Sequence, residues 1–235
     1  MRRKIIFLIS LIILTGIIYY HLTEEKIPLI TAKITKVIDG DTVQTEDGTK
    51  IRLKGINTPE KEELYYKEAK EFLENLVLNK TVQIEDYGLD KYKRTLGYLY
   101  LEKSLINLQI VEEGLAYSFE YETDSHSKEI RNSEGSARIK ELNLWKKSPN
   151  TECIKLINLQ YIEPIKRCTN GEVLQIENLC DKNFDVTIKD DATHVYKEKI
   201  LANSIFSKNF SCIWNDDGDS LYLRDDKGLL IFYRY

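Results

Sequence analysis

The sequence predicts a mainly β protein with helices: a five-stranded barrel carrying three helices, followed by a small antiparallel β-sandwich. Residues 30–101 alternate apolar and polar in short runs, broken once by a stretch of helical spacing. Two more helical stretches follow before residue 143. After Ser148-Pro149-Asn150, which reads as a linker, the texture changes to short β-rich runs between turn residues. A chain of 235 residues is long enough for two small domains, and its 42% hydrophobic content is ordinary for a buried core.

The N-terminus stands apart. Met1-Arg2-Arg3-Lys4 is basic, and Ile5 to Leu22 is almost wholly apolar. Residues 1–24 therefore read as a signal anchor or a signal peptide. Bulky Ile17, Ile18, Tyr19 and Tyr20 follow Gly16, so no small-x-small cleavage site closes the run. That favours an uncleaved membrane helix with its basic end cytoplasmic. The rest of the chain would lie on the extracellular side of the cell membrane, or be secreted if the segment is removed.

In the first domain, Thr31 to Ile38 is β-rich, and Thr42 to Thr45 continues after a break at Gly40. Asp47-Gly48 is a two-residue hairpin signal. Lys50 to Lys54 alternates, placing Ile51 and Leu53 on the core face and Arg52 opposite. Glu62 to Leu78 has helical spacing, with Tyr65, Ala69, Phe72, Leu73, Leu76 and Val77 on its apolar face. Thr81 to Glu85 is a strand with Val82 and Ile84 inward, and Arg94 to Leu101 is another. Ser104 suits an N-cap, Leu105 to Glu113 a helix and Gly114 its C-cap. Ser127 to Leu142 is the third helix. Five strands with an inserted helix suit an OB-type barrel. Beyond the linker, strands are expected at Val173–Ile176, Val186–Ile188, Ser220–Leu223 and Leu229–Tyr233, with a hairpin turn at Asp226-Lys227-Gly228.

The four cysteines, Cys153, Cys168, Cys180 and Cys212, all lie in the second domain. An even count in an exported chain suggests disulfides, and four cysteines allow three connectivities. Cys153–Cys168 with Cys180–Cys212 is the arrangement expected here. A zinc site would need a C-x-x-C spacing that the sequence lacks.

A net charge of -4 gives no global basic surface, although a local patch can sit on an acidic protein. Only 3 histidines argue against any mechanism built on paired imidazoles. What remains is a set of four clusters: Asp39-Gly40-Asp41-Thr42, Arg52, Asn57-Thr58-Pro59-Glu60 and Lys91-Tyr92-Lys93-Arg94. Singly, each is a common turn, helix start or solvated strand position. Together they supply what phosphodiester hydrolysis needs. Asp41 and Asn57 are hard oxygen donors, and a carbonyl near Thr58 adds another; such a set favours calcium or magnesium. Glu60 can orient or deprotonate water. Arg52 and Arg94 can each fork onto phosphate oxygens.

The order Asp39-Gly40-Asp41-Thr42, Arg52-Leu53, Thr58-Pro59-Glu60, Asp90-Lys91-Tyr92, Arg94, Gly97-Tyr98-Leu99-Tyr100, Glu113-Gly114-Leu115-Ala116, Ser133-Glu134 and Leu142-Asn143-Leu144-Trp145 resembles the staphylococcal nuclease (thermonuclease) family. The resemblance spans residues 30–147 and implies an OB-fold endonuclease that cuts DNA and RNA with Ca2+, leaving 3′-phosphorylated fragments. It implies that Asp41, Asn57 and the Thr58 carbonyl hold the metal, with Asp39 in an outer shell. It implies catalytic roles for Arg52, Glu60 and Arg94, and nucleotide contacts for Lys91 and Tyr92. Two departures stand out. The best-studied members have aspartate where this chain has Asn57, which removes a ligand charge, and the segment from Glu60 to the first helix is shorter here.

The second domain, residues 152–235, is similar to lamin-tail domains over Glu172–Asn178 and Trp214–Leu223. That similarity implies an immunoglobulin-like sandwich with a binding or positioning role rather than catalysis. Asp216, Asp217 and Asp219 read as a turn, with cation binding as the rival. Expected partners are DNA and RNA substrates and the membrane, with no obligate protein partner indicated. The competing function is a non-catalytic binding module for nucleic acid or protein at the cell surface.

Overall fold

The computed structural model describes residues 15, 27, 29–119, 122–160, 171–192, 194–211, 213–214 and 218–235. The expectation for the apolar run Ile5–Leu22 falls outside these residues except at Thr15, as do those for Cys168, Cys212, Asp216 and Asp217. Among the described residues, no helix is long and apolar enough to cross a membrane.

The first domain runs β1 Leu29–Val37, β2 Thr42–Thr45, β3 Lys50–Leu53, β4 Ile56–Asn57, α1 Tyr66–Val77, β5 Thr81–Leu89, β6 Thr95–Leu101, β7 Ser104–Leu105, α2 Ile106–Glu112, β8 Tyr117–Ser118 and α3 Ser127–Ile139. Strands order as β3-β2-β1-β5-β6, and a parallel pairing of β3 with β6 closes the sheet into the five-stranded barrel. Closure gives an interior filled by side chains: Val43, Ile51, Leu53, Val82, Ile84 and Leu99 are all buried. Ala69, Leu73 and Val77 of α1 and Ile106 and Ile110 of α2 seal the same core. The alternation expected for β3 holds, with Ile51 and Leu53 inside and Arg52 on the other face.

Two helix starts differ from the sequence reading. α1 begins at Tyr66, not Glu62, because Glu62 (φ 77) and Tyr65 (φ 69) adopt left-handed conformations that a right-handed helix cannot contain. Ser104 is not an N-cap: it pairs with Leu101 in β7, and Leu105 takes the cap position without a side-chain hydrogen bond.

The second domain comprises β9 Ile154–Gln160, β10 Glu172–Asn178, β11 Phe184–Lys189, β12 Val195–Ile200, β13 Ile205–Phe210, β14 Ser220–Asp225 and β15 Gly228–Arg234. It is a sandwich of two sheets, β13-β10-β9 and β12-β11-β14-β15. Leu174, Ile176, Val186, Ile188, Leu221, Leu223 and Trp214 fill the space between them. β9, β12 and β13, which the sequence reading passed over, are all edge strands. Edges carry charged residues such as Lys197, Lys199 and Lys208, and these dilute the alternating signal.

The expected cysteine pairing is corrected at Cys153, whose partner is Cys180. Antiparallel pairing of Ile154 with Asn178 brings both cysteines to one end of the β9–β10 ladder, with Cα atoms 5.2 Å apart.

Ser148-Pro149-Asn150 is not a free linker. The Asp225 carboxylate accepts hydrogen bonds from Ser148 Oγ and Asn150 Nδ2, each at 2.7 Å, and both residues are buried. Leu229 N–H donates to the Lys146 carbonyl, and Ser148 N–H donates to the Leu229 carbonyl, both at 2.9 Å. A Cβ on Gly228 would stand 2.5 Å from the Lys146 carbonyl, so only glycine permits this approach. The domains therefore share an apolar joint, in which Tyr117, Leu144 and Trp145 pack on Tyr222, Leu229 and Phe232. Arg234 Nη1 pairs with the buried Glu134 at 2.5 Å across the same joint.

Candidate active site

The site is built where β1, β2, β3 and the segment before α1 converge. The chain turns at Asp39-Gly40-Asp41, and the Asp39 carboxylate accepts the Asp41 N–H at 3.1 Å. Asp41 is 6% exposed and points inward. Its Oδ2 accepts both the N–H (2.9 Å) and the hydroxyl (2.8 Å) of Thr58, and its Oδ1 accepts the Thr42 hydroxyl at 3.2 Å. Gly40 makes this possible, because a Cβ there would lie 2.8 Å from both Thr58 Oγ1 and Ala69 Cβ.

Arg52 is held by four contacts. Nη1 donates to the carbonyls of Leu53 (2.6 Å) and Ile56 (2.9 Å). Nη2 lies 3.1 Å from Asp41 Oδ2 and donates to Asn57 Oδ1 at 3.1 Å. The guanidinium plane is thus fixed before any substrate arrives, the condition for preorganised charge stabilisation.

Asp39, Asp41, Thr58, Pro59, Glu60, Lys61 and Tyr66 line a pocket of about 140 Å³. Four of the residues singled out from sequence, Asp39, Asp41, Thr58 and Glu60, meet there. Burial, and then the neighbouring Asp41 charge, push the Asp39 carboxyl up to about 6. Two carboxylates so close favour a positive charge between them. Glu60 is exposed, and its N–H donates to Glu63 Oε2 at 2.6 Å. Asn57 is not among the lining residues; its amide bridges Arg52 on one side and the second domain on the other.

The remaining expected residues form a neighbouring group. Arg94 pairs with Asp90 through Nη2 (2.7 Å) and Nε (2.8 Å). Burial opposes ionisation of Asp90, but hydrogen bonds from Arg94 outweigh it and hold the carboxyl below its ordinary range. Lys91 Nζ and Arg94 Cζ sit 5.1 Å and 5.3 Å from the centroid of the exposed Tyr92 ring. Arg94 does not line the pocket. The parallel register pairs Arg52 with Leu96, so Arg94, just before the start of β6, lies near the strand end that flanks Arg52.

Sequence reasoning missed Lys61, Tyr66 and Glu63, and with them the second domain's hairpin against Asn57. No local signal marks that contact, since the partners are 134 and 135 residues apart.

Comparison with known proteins fits this geometry. A family model described as "Staphylococcal nuclease homologue" matches residues 50–147. Over 119 residues the chain is 34% identical to an uncharacterized endonuclease of Haemophilus influenzae, covering 49% of this chain and 66% of that protein. It is 33% identical over 121 residues to an uncharacterized endonuclease of Escherichia coli, covering 49% of this chain and 77% of that protein. A thermonuclease of Staphylococcus hyicus is 32% identical over 127 residues, covering 49% of this chain and 75% of that protein.

Proposed function

The chain belongs to the staphylococcal nuclease family, and we propose that it is a calcium-dependent nuclease hydrolysing phosphodiester bonds of DNA and RNA. The observation that carries this reading is the pocket itself, where two aspartates, a threonine and a free-standing glutamate converge beside a fixed arginine.

The donor set fits a hard divalent cation. Asp41 and the Thr58 carbonyl would hold it, with Asp39 in an outer shell, whereas Asn57 stands outside the pocket with its Oδ1 accepting from Arg52. No group of three or more His, Cys, Asp or Glu among the described residues is arranged to hold a metal alone. Carbonyls, waters and the substrate's own oxygens must complete the shell, as calcium's six to eight oxygen ligands allow. Bound there, the cation would neutralise a phosphate oxygen and strengthen the phosphorus as an electrophile.

The chain's own groups do the rest. Glu60 takes a proton from water as that water's oxygen bonds to phosphorus. Arg52 and Arg94 hold the phosphate oxygens, whose charge rises as the water oxygen bonds to phosphorus, and the leaving oxygen departs with its bonding pair and takes a proton from solvent. Lys91 and Tyr92 contact the nucleotide, the one by charge and the other by its exposed ring. Fragments ending in 3′-phosphate are the expected product. Incubation with plasmid DNA and with RNA, followed by end-group analysis, is expected to show such ends on both. Binding of both polymers without cleavage would favour the non-catalytic binding module instead.

The Arg2-Arg3-Lys4 cluster and the apolar run behind it support a nuclease tethered on the outer side of the membrane. Protease added to intact cells is expected to digest it, and survival of the nuclease in that experiment would place it inside.

A further inference from the structure

The hairpin that joins β11 to β12 contacts Glu63 and Asn57, the residues that hold Glu60 and Arg52. Lys189, at the end of β11, is 2% exposed, and its Nζ stands 3.6 Å from Glu63 Oε2. The same oxygen accepts the Glu60 N–H at 2.6 Å. Lys189 Nζ also donates to the Ala192 carbonyl at 2.9 Å, which fixes the ammonium within its own hairpin. On the other side, Asn57 Nδ2 donates to the carbonyls of Asp191 (3.3 Å) and Ala192 (3.1 Å). This leaves Asn57 Oδ1 facing Arg52 Nη2 at 3.1 Å.

We infer that this hairpin of the sandwich domain is a positioning element of the nuclease site, with Lys189 setting Glu60 through Glu63 and the 191–192 carbonyls setting Arg52 through Asn57. The inference rests on the reading of Glu60 and Arg52 as catalytic residues.

Three physical arguments support it. A buried ammonium persists where a carboxylate compensates it, and Glu63, whose side chain is 14% exposed, is that carboxylate. The segment between Glu60 and α1 is short and includes two left-handed non-glycine residues, Glu62 and Tyr65. Such backbone keeps one shape only where its surroundings over-determine it, and Lys189 supplies the restraint from outside the barrel. The amide of Asn57 also acquires a reason. A carboxylate there would set a bare oxygen against two carbonyl oxygens, whereas the amide donates to both and still offers an oxygen to Arg52.

The test uses the full chain and compares wild type, Lys189→Met, Lys189→Arg, Glu60→Gln and the Lys189→Met/Glu60→Gln pair. Turnover, KM for a DNA oligonucleotide and the melting temperature are measured for each. Displacing a catalytic group by about 1 Å can cost about 100-fold in rate, so Lys189→Met is expected to lower kcat by about tenfold or more. KM should stay near wild type, and Lys189→Arg should recover most of the rate. In the Glu60→Gln background, Lys189→Met should add little, because both changes act through one group. If Lys189→Met does not fold, Glu63→Gln carries the same comparison. A folded Lys189→Met or Glu63→Gln enzyme with wild-type kcat would overturn the positioning role, as would losses that multiply in the double variant. Wild-type cleavage by Glu60→Gln alone would instead reject Glu60 as the base, a failure of the underlying reading that this design separates from the first.

Discussion

Arg52→Lys is expected to lower turnover by about 100-fold or more, the scale of losing one preorganised donor in a transition-state site. Lysine keeps the charge but offers a single point. It cannot serve the Leu53 and Ile56 carbonyls, Asp41 and Asn57 at once, as the two guanidinium nitrogens of Arg52 do. Arg52 lies on the face opposite the core, as its alternation predicts, yet its side chain is only 13% exposed and its partner Asp41 only 9%. Unpairing buried acceptors costs about 1–3 kcal/mol each, so Arg52→Lys should lower the melting temperature as well as the rate. Arg94→Lys separates the two effects. Its pair with Asp90 sits on a turn and contributes at most about 1 kcal/mol, so turnover should fall while melting barely moves. Rate and melting temperature, measured on both variants, check this; a normal rate in either would remove that arginine from the chemistry.

Glu60→Gln is expected to lower turnover by about 100-fold or more, because an amide cannot take a proton from water. Its stability should match wild type. The Glu60 side chain is exposed, and what ties the segment down is its backbone N–H to Glu63, which the substitution keeps. Substrate binding should also persist, since the phosphate is held by arginines. Filter binding with single-turnover cleavage distinguishes the outcomes: retained binding with lost cleavage is expected, and lost binding would mean Glu60 shapes the pocket rather than serving the reaction.

The barrel was legible because its strands bury one face. Ile51 and Leu53, then Val82 and Ile84, are spaced as a pleat requires and are all buried. Asp41, Thr58, Glu60 and Asp39 were legible because two short runs of sequence carry them into one pocket. Three things were not legible, each for a physical reason. The edge strands β9, β12 and β13 face solvent on their outer rim, so charge breaks their pattern. The start of α1 is moved by the backbone of Glu62 and Tyr65, two residues whose types do not signal a left-handed conformation. The burial of Ser148 and Asn150 depends on Asp225, and the support of Glu63 depends on Lys189; both are long-range pairings with no periodicity to betray them.

Metal dependence is tested most directly by cleavage of plasmid DNA by the purified chain as free calcium is raised from chelator-buffered zero. Cleavage should be absent in chelator, rise with calcium to saturation, and not be restored by zinc, whose preference for nitrogen and sulfur ligands the pocket does not meet. Full cleavage in chelator would contradict a metal-assisted reaction at Asp41, Thr58 and Glu60.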